Sequence, residues 1–371
     1  MPTDAAPEAP FPDSGPGFWL ERQLQRIHPA WVALGLFVLG LIVYFSSNPA
    51  RPDFYDHFVW QAQAFLEGRA EIAYPVTEGP YQNGYFQDVL PVAPGLAQIP
   101  FPPLPAIVLM PFVAVWGLGT NGAAVAALLG ALNIVLCWVM TLSVTPRRSA
   151  ALLGTLFYAF GTVAWYAAML GTTWFLAHVV GSTFLFIAIT VAVRADSAAV
   201  RGVATDGSRA IGRQFAAGLA FGTAATARLT SILAAPFLVF VGGGRSWVER
   251  AVAAGVGAAI PVLLLLGFNL VTTGEFFHPA YDYLYETEYR PQPGLVNADW
   301  AAEDPRYIPQ NVGIMLARLP ISPLLDDPAC ALQSITLESV FDRQCPLLQP
   351  DPLGMSLLLT SPAYLLALPV L

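Results

Sequence analysis

From residue 31 to residue 271 the sequence returns repeatedly to apolar runs near the ~20 residues a helix needs to cross a bilayer, and arginines close most of them. Nothing else in the chain restricts its fold as much. Hydrocarbon offers no water to backbone N–H and C=O groups, so each run has to satisfy its own, as an α-helix does. Of the 371 residues, 56% are hydrophobic and 11% charged, with a mean hydropathy of +0.57. A soluble domain carries about a quarter charged residues, so the class is an all-α polytopic membrane protein. All 17 basic residues are arginine, and 25 acids give a net charge of -8. That balance argues against nucleic acid as a partner.

Arginine also orders the spans, because basic loops stay on the cytoplasmic side. Residues 1–17 are rich in Pro and Ala and lack a secretory signal pattern, which predicts a disordered cytoplasmic tail. Residues 18–30 read as an amphipathic surface helix carrying Arg22 and Arg26, and a first span over 31–44, reaching to Ser47, then places Asp53 outside. The outer region 48–121 is expected to hold interfacial helices. One covers 51–68, with Phe58, Ala62, Phe65 and Leu66 on its apolar face. Another follows Phe101-Pro102-Pro103-Leu104; its ~12 apolar residues are too few to cross, and crossing would carry Arg147 and Arg148 outside.

Further spans are expected over 123–144, 150–168 and 174–193, then as two short ones meeting at Arg228, then over 251–271. A second outer region fills 272–352, and 353–371 would begin a final span, for about seven to eight in all. The core is thus 31–271, in the plasma (inner) membrane, with long, acidic and aromatic regions outside. That layout puts the working surface outside the cytoplasm.

Asp53 and Asp56 lie three residues apart and would share a helix face. They are candidate catalytic acids, one taking a proton from an acceptor and the other orienting a partner; the plainer alternative is that Asp53 caps the helix. Arg228, near the outer face, suits a phosphate or a structural ion pair, and Arg290 is a second phosphate candidate. His178, close to Trp174, is either a contact for sugar or acceptor or a packing residue. Tyr166 and Trp174 suit the same binding role, or an interfacial aromatic belt with Trp165. The run 276–294 mixes four tyrosines with carboxylates, so Tyr283 and Glu286 can stack on and hydrogen-bond a sugar, or the run simply covers the cavity. Cys137 sits mid-span, whereas Cys330 and Cys345 share an outer region where an oxidising compartment would let them pair. Zinc spacing, a Walker loop, a Rossmann fingerprint and a Gly-x-Ser-x-Gly elbow are absent, which weakens ATP-driven and nucleotide-binding readings.

Taken in order, these motifs resemble the GT-C glycosyltransferases, near the protein O-mannosyltransferase and aminoarabinose transferase branch. The resemblance rests on Asp53 and Gly68, fifteen residues apart, on Phe101-Pro102-Pro103-Leu104, on the stretch 161–179, and on Ala227-Arg228-Leu229-Thr230, and it covers 31–294. It implies a polyprenyl-phosphate-linked sugar as donor and a protein, lipid or glycan as acceptor. The reaction would be an inverting displacement with Asp53 as base and an arginine such as Arg228 on the leaving phosphate. No nucleotide is needed, and a divalent cation is compatible, since some members of the family need one. Two departures stand out: Phe101 replaces a frequent lysine, and the family's C-terminal spans have no counterpart, which implies a truncated or inactive relative. The rival expectations are a transporter or flippase-like protein and a non-catalytic membrane scaffold. A transporter would favour inverted repeats and intramembrane acids, and the sequence shows no convincing repeat and no acids within the seven predicted spans.

Overall fold

The computed structural model of the chain describes residues 16–51, 55–73, 88–200, 207–244, 246–279, 304–323, 330, 345, 347, 351 and 356–360. It divides into two compact units, one of Met1–Phe160 with Ala164–Glu288, the other of Gly161–Val163 with Tyr289–Leu371.

The first unit opens with α1 (Pro16–Arg26) and α2 (Pro29–Ser47). Pro29 occupies the first helical position of α2, where a missing N–H costs nothing, and His28 accepts from the Ala30 N–H at 3.3 Å. After a long connection come α5 (Gly122–Val144), α6 (Arg148–Gly161), α7 (Val163–Leu170), α8 (Thr173–Val200), α9 (Gly207–Ala225), α10 (Ala235–Phe240) and α11 (Trp247–Thr273). Helices α2, α5, α8 and α11 pack as a row completed by α9, in the order α2, α5, α8, α9, α11. Among the described residues, α2, α5, α8 and α11 are long and apolar enough to cross a membrane, and α6 with α7, bent by 55°, makes a fifth if the pair counts as one. The described residues are therefore those of a predominantly α-helical membrane protein with four to five such helices. Helix α9 spans 19 residues but carries Arg209 and Arg213; the 3-10 segment Leu229–Ala234 with α10 is a shorter apolar piece.

The connection between α2 and α5 is folded onto the bundle. It contains α3 (His57–Leu66), α4 (Leu104–Trp116) and a three-stranded antiparallel sheet of β1 (Ile72–Ala73), β2 (Leu90–Ala93) and β3 (Leu96–Gln98) in the order β1-β3-β2. At 1.5 Å per residue the 13 residues of α4 reach ~20 Å, short of the ~30 Å hydrocarbon core. Phe58, Val59 and Ala62 of α3 join Leu109 and Val113 of α4 and Leu176 and Val180 of α8 in one buried cluster. The Leu104 N–H donates to the Thr226 carbonyl at 3.3 Å, and the Gln98 amide donates to the Thr272 carbonyl at 2.8 Å. These bonds clamp the connection to the ends of α9 and α11.

Two expectations change here. Helix α3 begins at His57 with Asp56 as its N-cap residue, so Asp56 precedes the helix and the argument that two acids share a helical face does not hold. The helix is also buried on His57, Phe58, Gln61 and Ala62, while Leu66 of the expected apolar face is exposed. The reason is that α3 is covered by α4 and the bundle, where 51–68 was expected to rest one stripe on a surface. The sheet is a further departure from an all-helical reading.

Helix α9 meets α11 through small residues. Side-chain carbons added at Gly218, Gly222 or Gly257 would collide with the Ala254, Ala258 and Phe215 backbone, and Gly222 also faces the Pro261 ring inside α11. Without a hydrophobic drive between helices in lipid, such close backbone approach is what holds them. At the other end of the chain's first helices, the Glu21 carboxylate accepts from the Arg148 and Ser149 N–H groups, at 3.1 and 2.7 Å, and so caps the exposed start of α6.

The second unit contains α12 (Ile308–Ala317) and α13 (Leu357–Thr360). The Arg318 guanidinium pairs with Asp351 at 2.7 Å, the Ser356 hydroxyl donates to the Leu316 carbonyl at 2.7 Å, and Cys330 and Cys345 form a disulfide.

Gly218→Leu is expected to lower stability by about 1–3 kcal/mol, the range for overpacking, measured by thermal unfolding of detergent-purified protein beside wild type. Partial burial pushes the Glu21 carboxyl up, but hydrogen bonds from Ser149, Gln25 and Arg148 outweigh it and hold it at about 2 against 4.5. A depressed folded value means the cap's contribution is complete above 4.5 and is lost as pH falls through about 2. Thermal scans of wild type and Glu21→Gln should therefore differ above pH 4.5 and converge near pH 2.

Candidate functional site

The α7–α8 turn starts the site. Gly171 has φ +58 and lies against the Ala123 backbone, so a side chain there would strain the turn and strike α5. The chain then enters α8 with Thr173 and Trp174 at the end of the bundle where the α2–α5 connection lies. The Thr173 hydroxyl meets the His57 Nδ1 at 2.8 Å and donates to the Tyr55 carbonyl. His57 is fully buried; its ring stands edge-on to Phe101, centroids 5.7 Å apart. Phe101 of the Pro-Pro-Leu element thus packs directly on the start of α3.

Trp174 faces the same connection. Its ring lies 4.8 Å from that of Tyr55, and its indole lies beside the Asp88 carboxyl. Burial pushes the Asp88 carboxyl above the usual carboxylate range, and the indole hydrogen bond partly opposes the rise. Among the described residues the non-glycine positions with positive φ are Arg51 (37°), Tyr55 (59°) and Asp88 (45°). All three lie in this connection, and such backbone persists where its surroundings over-determine it.

Four residues beyond Trp174, one helical turn or ~6 Å along α8, is His178. Its Nε2 accepts from the Arg228 Nε at 3.2 Å. A ring nitrogen that accepts carries no proton, which assigns the proton of the neutral ring to Nδ1. Arg228 itself is extended, with φ -151, between the end of α9 and the 3-10 turn at Leu229. Thr226, which binds the Leu104 N–H, is two residues away. One face of α8 therefore carries Trp174, beside the half-buried Asp88 carboxyl, and the guanidinium on His178, with the Pro-Pro-Leu element tied to Thr226 close by.

Of the residues singled out in the sequence, the structure brings Trp174, His178 and Arg228 together, with Asp56 at the adjacent N-cap of α3. The Asp56 carboxylate approaches Gly122 at the start of α5. Tyr166 packs edge-on to Phe175 at 5.2 Å and is half exposed, with no direct contact to that group. Asp53, Tyr283, Glu286 and Arg290 lie outside the described residues. Cys330 and Cys345 are bonded in the second unit. The residues that sequence reasoning missed are Asp88, His57, Thr173 and Tyr55. A histidine inside an apolar helix could have drawn attention to His57, but no local signal marks Asp88. Among the described residues no three His, Cys, Asp or Glu side chains gather as a metal site.

A scan against protein-family models, a search of curated proteins and a search of solved structures each returned no match to this chain.

Trp174→Phe removes the N–H that favours the charged Asp88, so the Asp88 carboxyl should titrate at a still higher pH than in wild type. Infrared titration of the carboxyl bands, assigned by difference against Asp88→Asn, checks the direction.

Proposed function

We propose that this chain is a membrane glycosyltransferase of the GT-C kind, which moves a sugar from a polyprenyl-phosphate carrier to an acceptor on the extracytoplasmic side. The observation that carries the reading is Arg228, held by His178 one turn of α8 below Trp174 and Asp88, beside the Pro-Pro-Leu element. A guanidinium offers a planar fork of donors and keeps its charge at any physiological pH, which suits a phosphate that gains charge as it leaves. His178 positions Arg228 by accepting from its Nε.

In this reading Asp53 takes a proton from the acceptor hydroxyl or amine as the acceptor attacks the anomeric carbon. The bond between that carbon and the carrier phosphate oxygen breaks from the opposite face, inverting the centre, and Arg228 stabilises the phosphate released. Asp56 orients the incoming group. Trp174 and Tyr166, with Tyr283 and Glu286 from the run after α11, provide ring faces and acceptors for the sugar, and Arg290 is a second phosphate contact. The donor is already an activated phosphate ester, so no nucleotide takes part.

The seven to eight spans belong to the same proposal: α2, α5, α6 with α7, α8, α9, the 229–240 segment and α11, with a final span starting after 353. The Cys330–Cys345 disulfide supports an extracytoplasmic placement of the second unit, because such bonds persist in oxidising compartments. The orientation in the proposed plasma (inner) membrane rests on the arginine-rich loops.

The test is transfer from a panel of radiolabelled polyprenyl-phosphate sugars in membranes containing the chain. Asp53→Asn should cut transfer by about 10²–10⁴-fold, the usual weight of a general base. Arg228→Gln should cut it by about 10²–10³-fold, the scale for losing a charge-stabilising donor. Transfer untouched by Asp53→Asn would remove that residue from catalysis, and a folded chain inactive with every donor would overturn the enzyme reading in favour of a transporter or scaffold.

A further inference from the structure

A groove of about 520 Å³ lies between α2, α4 and α5. Leu41, Phe45, Phe112, Trp116, Val125 and Leu128 form its walls, and hydrocarbon and aromatic surface dominates them. Pairs four residues apart, Leu41 with Phe45 on α2 and Ala124 with Leu128 on α5, run along its length. These helices are neighbours, and the Trp138 indole near the end of α5 reaches the Pro29 carbonyl at the start of α2 while Asn121 reaches Arg51, so they run antiparallel and the C-terminus of α2 and the N-terminus of α5 close the same end. Thr120 and Asn121 stand there, and both satisfy themselves within the protein. The Thr120 hydroxyl donates to the Gly117 carbonyl at 2.8 Å, and the Asn121 side-chain oxygen accepts from the Ala124 N–H at 2.8 Å.

The charge at that end is Arg51. Its guanidinium carbon sits 5.0 Å from the centroid of Phe45, a wall of the groove. The placement is built. The Asn48 side chain accepts from the Arg51 N–H at 3.2 Å, and the Asn121 amide donates to the Arg51 carbonyl at 3.0 Å. Residues ending α2 and opening α5 thus hold both backbone groups of Arg51, at a φ of 37° that side chains seldom adopt. Among the described residues no carboxylate is paired with its guanidinium.

We propose that this groove binds one bilayer phospholipid, with an acyl chain along Leu41, Phe45, Val125 and Leu128 and the phosphate on Arg51. Three features select that occupant. The groove runs parallel to two membrane-crossing helices with its charge at their end, which is the polarity of a lipid leaflet. Its volume falls in the range of ligand pockets, about 300–1,000 Å³, while its walls offer a sugar or peptide almost no hydrogen-bond partners. Trp116 at its rim is 62% exposed, as suits a ring at the level of lipid headgroups. The site is separate from the His178–Arg228 pair, and the inference holds whether or not the chain transfers a sugar.

Native mass spectrometry of the full chain in mild detergent, titrated with dioleoyl phosphatidylglycerol, tests this. Wild type should retain one lipid. Arg51→Gln should weaken binding by about tenfold to a hundredfold, the weight of charge-assisted hydrogen bonds. Ala124→Phe, which fills the groove and keeps the charge, should abolish retention; Leu128→Trp fills it from the lipid side if the first variant does not fold. Arg22→Gln, on α1, should bind as wild type. Equal retention in wild type and in folded groove and Arg51 variants would overturn the proposal. So would retention of a polyprenyl phosphate, added as a competitor, with no phosphatidylglycerol bound.

Discussion

The first turn of α8 is the joint on which the rest of this molecule depends. The Thr173 hydroxyl ties the buried ring of His57 to the Tyr55 carbonyl, and Trp174 packs on Tyr55 beside Asp88. One helix end thereby anchors the start of a connection that would otherwise be a long loop. Inside lipid a helix satisfies its own backbone and leaves donors over only in its first turn. Polar side chains reach neighbours at least cost where the helices end, and the bonds between α8 and α3 collect at that level. The same argument explains why Leu104 reaches Thr226 and Gln98 reaches Thr272 at the ends of α9 and α11.

The middle of the first unit obeys a different rule. Helices surrounded by hydrocarbon gain nothing by hiding leucine from water, so contact is made by fit. Gly218 and Gly222 let α9 lie against Ala254 and Ala258 of α11, and Ala188 and Ala192 of α8 join the same cluster. Large apolar side chains face outward instead, as Leu263, Leu264 and Val271 do on α11. Helix α9, with Arg209 and Arg213 near its start, sits between α8 and α11 for this reason. Its small face is complementary to theirs although its average hydropathy is modest.

Where the two rules meet, the backbone is bent to serve side-chain placement. Arg51, Tyr55 and Asp88 all take positive φ without being glycine, and each is met by residues at the ends of the bundle helices. Asn48 and Asn121 hold Arg51 over Phe45, Thr173 holds Tyr55, and Trp174 lies beside Asp88. Local preference opposes these conformations, so it is the folded surroundings that keep them.

Sequence alone determined the helices whose stability is local. α2, α5, α8 and α11 were legible because a long apolar run with charged ends has one cheap conformation in a membrane, and the shortness of α4 followed from its length. The positions of Arg228 at a junction and of His178 near a helix start were legible for the same reason. Their pairing was not, since fifty residues separate them and only the packing of α8 on α9 brings them together. Tertiary structure also decided that Asp56 precedes α3, that 150–168 bends between α6 and α7, and that two- to four-residue strands pair into a sheet. Asp88 is the clearest case: it stands in a polar stretch like any loop acid, and only folding half-buries it beside the indole of Trp174, 86 positions away. Periodicity and hydropathy report what a segment can do by itself, whereas a site depends on which helix ends lie side by side, and that is set by long-range packing.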